Sequence, residues 1–352
     1  MDVYGSAIRR FDHLRRSPAL AGGPGGHKEW LHFAVHAPGL DVLVNFSVVD
    51  EPVGGQRPGG HHAGPWAETA RITLLVRDER GWTGDVDTYR AQDVDVRTGE
   101  IHMRMGRNLV CYEDGAYTIR ARARGRDIAC DLRLAPACMP VLAPNIPLET
   151  GPPIHWCVLP RSLATGTVRV DGVEHTLSDA PSYHDHNWGR WKWGDDFAWE
   201  WGFGLPDDPA EPWSMVFVRL TNRARSRTMA QGLFLWHDGV QRRTFREHDM
   251  EVWHAGYLRP RSVVKVPAVM GLLHPEQPTD VPEQLHFRAE VRGDQVVGRF
   301  DSEDVAQVVI PGEREYNVTI INEVSGRVHL SGQVGGEPVE LHGSAVFEFL
   351  GE

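Results

Sequence analysis

Hydrophobic and polar residues alternate along most of the chain, the period of a strand with one buried and one wet face. Tyr117, Ile119, Ala121 and Ala123 alternate with Thr118, Arg120, Arg122 and Arg124; after Gly125-Arg126 the period resumes with Ile128, Cys130, Leu132 and Leu134. This predicts a hairpin. Comparable hairpins are predicted over residues 167–177 around Asp171-Gly172, over 285–300 around Gly293-Asp294 and over 327–341 around Gly335-Gly336. Asp-Gly and Gly-Gly steps supply the positive φ that tight hairpin turns need. Helical periodicity is scarce, and predicts only short helices over residues 5–16 and 264–273. Residues 53–66, rich in Gly, Pro and His with His61 and His62 adjacent, read as an exposed loop suited to cover a barrel mouth.

The pattern repeats. Ile119-Arg-Ala-Arg-Ala-Arg-Gly125 resembles Phe287-Arg-Ala-Glu-Val-Arg-Gly293, and the hairpin leading into Tyr183 resembles the one leading into Phe347. Two copies of one antiparallel unit account for 352 residues, whereas a propeller or solenoid needs more copies at a shorter period. An all-β fold of two domains follows, over residues 1–195 and 196–352. Where the second copy carries Phe347 and Phe349, the first is aligned with Tyr183 and Asp185. That asymmetry places function in the first copy.

Composition excludes more than it identifies. A net charge of −11 argues against nucleic acid or an anionic membrane surface as partner, and Arg120, Arg122, Arg124 and Arg126 read as the solvated face of one strand. Neither a signal peptide nor an apolar run of bilayer length stands out, so a cytoplasmic protein without stable membrane insertion is expected. Cys111, Cys130, Cys138 and Cys157 lack CxxC spacing and are expected as free thiols.

Between residues 183 and 204 the composition changes. Five of the twelve tryptophans fall here: Trp188, Trp191, Trp193, Trp199 and Trp201. A strand through Tyr183-His-Asp-His-Asn-Trp-Gly189 points Tyr183, Asp185 and Asn187 to one face and His184 and His186 to the other. On the next strand Trp199 and Trp201 share a face, with Glu200 opposite. A carboxyl group among aromatic rings is costly to ionise and can hold a proton near neutrality, as a general acid must. Indole faces suit a flat apolar substrate or a developing cation. Asp185 and Asn187 could equally satisfy backbone groups at a corner. His184 and His186, with His155 or His175 and Glu200, offer a candidate metal-ligand set, but the spacing is weak and no metal is expected. There is no G-x-S-x-G elbow and no phosphate or dinucleotide fingerprint, so no cofactor is expected.

Tyr183-His-Asp-His-Asn-Trp-Gly189 resembles the Y-x-D-H-N-W-G motif of the carotenoid 1,2-hydratase (hydroxyneurosporene synthase) and AttH-like family. Lys28-Glu-Trp-Leu-His-Phe33 is similar to that family's N-terminal K-E-W-W-Y-F strand, with Leu31 and His32 departing from it, and Pro153-Ile-His-Trp156 to the strand before the motif. The closing Gly343-Ser-Ala-Val-Phe-Glu348 agrees only in character. The resemblance implies two tandem lipocalin-like (calycin) antiparallel β-barrel domains, with carotenoid hydratases, tocopherol-cyclase-like proteins and lipocalin-type Diels–Alderases as relatives. By position it implies Asp185 as proton donor, Tyr183 as its partner, and His155 and Trp156 lining the site. Taken with the aromatic stretch, the expected catalytic residues are Asp185, Tyr183 and His155, and the expected substrate-binding residues Trp30, Trp156, Asn187, Trp188, Trp199 and Trp201. The expected activity is hydration, cyclisation or isomerisation of a hydrophobic unsaturated substrate, isoprenoid or polyketide. A pericyclase that preorganises a polyene and a non-catalytic carrier are the alternatives.

Overall fold

The computed structural model describes residues 4–15, 27–49, 70–146, 148, 153–191, 193, 196–208, 210–259, 263–275, 280–311 and 318–351. The segment 53–66, with His61 and His62, lies outside the described residues. Among the described residues, helix α1 (Gly5–Phe11) precedes β1 (His27–Ala37), β2 (Leu40–Val49), β3 (Ala70–Asp78), β4 (Gly81–Tyr89), β5 (Val94–Val96) and β6 (His102–Met105). Then come β7 (Asn108–Glu113), β8 (Ala116–Arg122), β9 (Ile128–Pro136), β10 (Val141–Ile146), β11 (Ile154–Val170) and β12 (Val173–Arg190). The second half adds β13 (Ala198–Pro206), β14 (Trp213–Thr221), β15 (Thr228–His237), β16 (Val240–Arg246), β17 (Met250–Ala255) and β18 (Val264–Val266). Helix α2 (Met270–Leu273), β19 (Gln284–Val291), β20 (Asp294–Pro311), β21 (Val318–Val334) and β22 (Glu337–Gly351) complete it. No described helix is long and apolar enough to cross a membrane.

The contacts gather into two compact units, one of residues 1–76, 84–146 and 151–192, the other of residues 77–83, 147–150 and 193–352. The first sheet runs β4-β3-β2-β1-β12-β11-β9-β8-β7-β6-β5, with β10 on β11; the second runs β16-β15-β14-β13-β22-β21-β20-β19-β17. The short β18 lies parallel to β20. Tyr89 and Val96, from the two ends of the first order, share one core with Leu31, Phe33, Phe46, Ile119 and Leu132, so that sheet curls on itself. Phe245 and Met250 do the same for the second, around Phe217, Phe287, Phe300 and Phe347. Each such fully buried side chain contributes about 1.5–3 kcal/mol.

The two strand orders superpose as a repeat: β1 on β13, β12 on β22, β11 on β21 and β8 on β19. The similar sequence segments therefore occupy equivalent strands. Their alignment is off by one residue, however. Phe347 and Phe349 point into the second core, and in β12 the residues facing the first core are His184 and His186, since His184 stacks on the core residue Phe33 at 4.2 Å. Tyr183 and Asp185 lie on the other face. Side-chain alternation makes a one-residue slip exchange the faces.

The turns follow the glycine chemistry. Asp171 and Gly172 (φ 48° and 81°) join β11 to β12, and Gly335 and Gly336 (φ 61° and 83°) join β21 to β22. Between β19 and β20 the turn is Arg292-Gly293, one residue before the expected Gly293-Asp294, because Asp294 already pairs with Val291. A Cβ on Gly172 would meet nothing within 4 Å. Gly172→Ala is therefore expected to cost about 1 kcal/mol from φ alone, as measured by urea denaturation. Gly343 has the opposite reason: a Cβ would lie 1.8 Å from the Leu205 carbonyl oxygen where β22 meets β13.

Both helices are shorter than expected. The first stops at Phe11, and Asp12 leaves the helix to enter the core. Residues 264–266 form a strand rather than a helix, because they pair with β20 and Pro267 has no N–H to continue a helical ladder. All four cysteines are free and buried, and Arg120, Arg122, Arg124 and Arg126 are exposed.

Candidate functional site

Strand β12 runs between β1 and β11, which places its two faces against two different sets of neighbours. On one face Asp185 pairs in register with His32 and Val158, Tyr183 with Ala34, and Asn187 with Trp30 and Trp156. Tyr183 and Trp156 are buried but belong to neither unit's main core. The Tyr183 hydroxyl donates to Asp185 Oδ2 at 2.9 Å, and Asn187 Nδ2 donates to Oδ1 at 3.0 Å. The Trp156 indole contributes a further hydrogen bond.

Asp185 is 2% exposed. Burial pushes its pKa up to about 6, against the charge of His184, the hydrogen bonds from Tyr183 and Trp156, and the charge of His186. No arginine or lysine among the described residues pairs with it. His32, beside it on β1, is driven down to about 3 by burial and by the neighbouring His184, and so stays neutral. Desolvation thus outweighs the donors. Tyr183→Phe removes one donor that favours the charged form and is expected to lift the Asp185 pKa further above 6. Carbon-13 NMR titration of the carboxyl group checks this shift.

The other face carries a buried charged network. His184 Nδ1 donates to the His32 carbonyl at 2.8 Å and Nε2 to Asp12 Oδ2 at 2.9 Å. His186 Nδ1 reaches Asp12 Oδ1 at 3.0 Å and Nε2 reaches Glu29 Oε1 at 2.8 Å. Tyr117 donates to Asp12 Oδ2 at 2.6 Å, and the Arg15 backbone N–H donates to Glu29 at 2.9 Å. Burial alone opposes the charges on Asp12 and Glu29, yet the histidines hold both carboxyls below their usual range. Burial likewise opposes the charge on His186, but the two carboxylates on its two ring nitrogens raise its pKa. Asp12 and Glu29 carried no assigned role in the sequence reading. Two histidines turned into an apolar core require buried counter-charges, but that signal exists only once the folded sheet shows which face is inward.

The structure brings together part of the expected site. Trp30, half-buried, lies edge-on to Trp191 at 5.3 Å, and Lys28 Nζ donates to the Trp191 carbonyl at 2.8 Å. His155 and Trp188 face one another in register and stack at 5.4 Å, on the His186 side of the strand rather than the Asp185 side. Alternation along β11 and β12 is the reason, and neither residue joins the group around Asp185. Trp188 also lies under the Arg15 guanidinium, 3.3 Å from ring centroid to carbon.

Trp199 and Trp201 belong to the second unit, on β13, on the face away from that unit's core; Trp199 Nε1 donates to Glu348. Glu200 is fully buried on the other face. Burial raises its pKa, but the hydrogen bond and charge of His254 (3.0 Å), with Arg219 (3.2 Å) and Arg225 (3.6 Å), outweigh it, so Glu200 is a paired carboxylate. His184 and His186 are occupied by Asp12 and Glu29, and His175 sits opposite Val168 near the far end of β12. Among the described residues no group of three or more His, Cys, Asp or Glu side chains is arranged to hold a metal ion.

The fold defines a class: an all-β protein of two lipocalin-like antiparallel units. No family model matches the sequence, and no curated protein matches it. Solved structures do. An AttH protein from Nitrosomonas europaea is similar with a TM-score of 0.60 at 13% identity, over 92% of both chains. Kievitone hydratase from Nectria haematococca is similar with a TM-score of 0.55 at 12% identity, over 93% of this chain and 91% of that one. CghA with Sch210972 has a TM-score of 0.57 at 14% identity, over 93% and 89%. At these identities the likeness is one of fold, and it includes the AttH name to which the motif resemblance led.

Proposed function

We propose that the chain is a cofactor-independent enzyme in which protonated Asp185 starts the reaction of a hydrophobic, unsaturated isoprenoid or polyketide substrate. The carboxyl proton passes to one carbon of an isolated C=C bond and the π electrons form the new C–H bond, leaving a cation on the other carbon. Water then adds and returns a proton to the Asp185 carboxylate, giving hydration; loss of a proton from a neighbouring carbon to that carboxylate gives isomerisation. Attack by a second C=C bond closes a ring and leaves a new cation, which the same proton loss or water addition quenches. Trp30 and Trp156, beside Asn187 on the Asp185 face, supply indole surface to that cation. A fold shared with a kievitone hydratase agrees with this reading.

The observation that carries it is the setting of Asp185: a buried carboxyl group, touched by neutral donors, with a pKa of about 6. An acid of that strength both holds a proton near neutrality and gives it up readily. A structural carboxylate takes the opposite setting, as Glu200 does among its cations.

The test is a panel of isoprenoid and polyene substrates incubated with the protein in D2O. Deuterium bound to carbon in the product is the expected result. Turnover with no deuterium at carbon means a pericyclic reaction in which Asp185 only polarises a carbonyl. Binding without conversion across the panel means a carrier.

A further inference from the structure

The second unit presents two histidines side by side on the outer face of its sheet. His329 of β21 and His342 of β22 are directly opposed in register, while Val328, Leu330 and Leu341 beside them point into the core. Their Nδ1 atoms approach to 2.8 Å. The distal nitrogen of each ring faces a carboxylate: His342 Nε2 lies 2.9 Å from Glu340 Oε1, and His329 Nε2 lies 3.6 Å from Asp301 Oδ2.

A carboxylate only accepts a hydrogen bond, so His342 Nε2 carries the ring hydrogen and its Nδ1 keeps a lone pair facing His329. Without metal, His329 Nδ1–H donates to that lone pair; moving this one proton to Nε2, beside Asp301, frees both Nδ1 lone pairs for one ion placed to the side of the pair. A carboxylate on the far ring nitrogen is also the usual support of a metal-bound histidine, fixing its tautomer and raising its basicity. The separation favours one kind of ion. Two nitrogens bound at about 2.0 Å and at right angles, as in a tetragonal Cu(II) site, are about 2.8 Å apart, whereas a tetrahedral zinc ion spreads them to about 3.3 Å.

We infer that His329 and His342 form a binding site for one divalent copper ion, chelated through the two Nδ1 atoms. The rings are partly exposed, at 39% and 49%, so water fills the remaining positions. Arg299 and Arg327 flank the pair and lower its affinity for a cation, but Arg299 is paired to Asp301 and Arg327 to Asp207. Zinc binds more weakly, as both its preferred angle and its place in the divalent-metal order require.

The experiment is Cu(II) titration of the full chain, followed by calorimetry and by electron paramagnetic resonance, on the wild type and on His329→Gln, His342→Gln and Glu340→Gln. One copper equivalent with hyperfine coupling to two imidazole nitrogens is expected. Each histidine variant should weaken that equivalent at least tenfold and remove the two-nitrogen signal, and Glu340→Gln should weaken it severalfold. Copper should raise the melting temperature of the wild type and leave that of His342→Gln unchanged. All three positions are at the surface, so the metal-free variants should melt with the wild type. Retention of the equivalent in both histidine variants, or a wild type with no such equivalent, overturns the assignment and leaves the pair sharing a proton.

Discussion

Asp185→Asn is expected to lower turnover of a genuine substrate by about 10²–10⁴-fold while leaving the fold intact, the usual worth of a positioned general acid. The amide has the size of the carboxyl group and keeps an acceptor for Asn187 Nδ2. The Tyr183 hydroxyl can turn to accept from the new NH2 group, because a hydroxyl serves in either role. What is lost is the proton. The variant should not be less stable near neutral pH: the wild type bears the cost of an ionised carboxylate in a buried position, shown by a pKa raised from 3.8 to about 6. By linkage, a carboxyl group raised on folding favours the folded state at low pH and loses that contribution as pH rises through about 6. Asp185→Asn should flatten this part of the stability profile and abolish the matching limb in activity, where the rate falls above about pH 6 as the acid ionises. Rate measurements with thermal melting on the same preparations decide it. Undiminished turnover in the variant would end the acid mechanism.

Asp12→Ala is expected to destabilise the protein by about 3–5 kcal/mol, the scale for breaking a buried ion pair from one side. Asp12 is 1% exposed and receives bonds from His184, His186 and Tyr117. Its removal leaves imidazole and phenol donors in the core with no acceptor. Urea unfolding measures the loss, and Asp12→Asn, which keeps one acceptor, should lose less. The same network sets the pH window. Glu29 and Asp12 are held below their usual values of 4.5 and 3.8, so their stabilisation is present above those values and is lost as pH falls. His186 is raised above 6.5, so its contribution is complete below 6.5 and disappears as pH rises through the folded value. Stability from this cluster is therefore greatest between about pH 4.5 and 6.5. In Asp12→Ala both limbs should shrink together, because His186 and Asp12 titrate as partners.

What the sequence determined by itself was local. Alternation specified the strands, Asp171-Gly172 and Gly335-Gly336 specified their turns, and the internal similarity matched β8 with β19 and the β11–β12 hairpin with β21–β22. Alternation also separated Tyr183, Asp185 and Asn187 from His184 and His186 without any coordinates, because a period of two is a property of the chain. Which face looks into the core is not. That depends on the partner strands, and contacts such as Phe33 stacked on His184 reveal that the histidines turned inward. Residues distant in sequence were equally hidden: Asp12 leaves the end of a helix to reach His186, 174 positions away, and nothing local to either residue requires it. His155 and Trp188 looked like site residues by motif position, yet the register of β11 against β12 turned them from Asp185. The same alternation that named Asp185 therefore left its surroundings open, since burial, partner charge and pKa arise from contacts that only the folded sheet brings together.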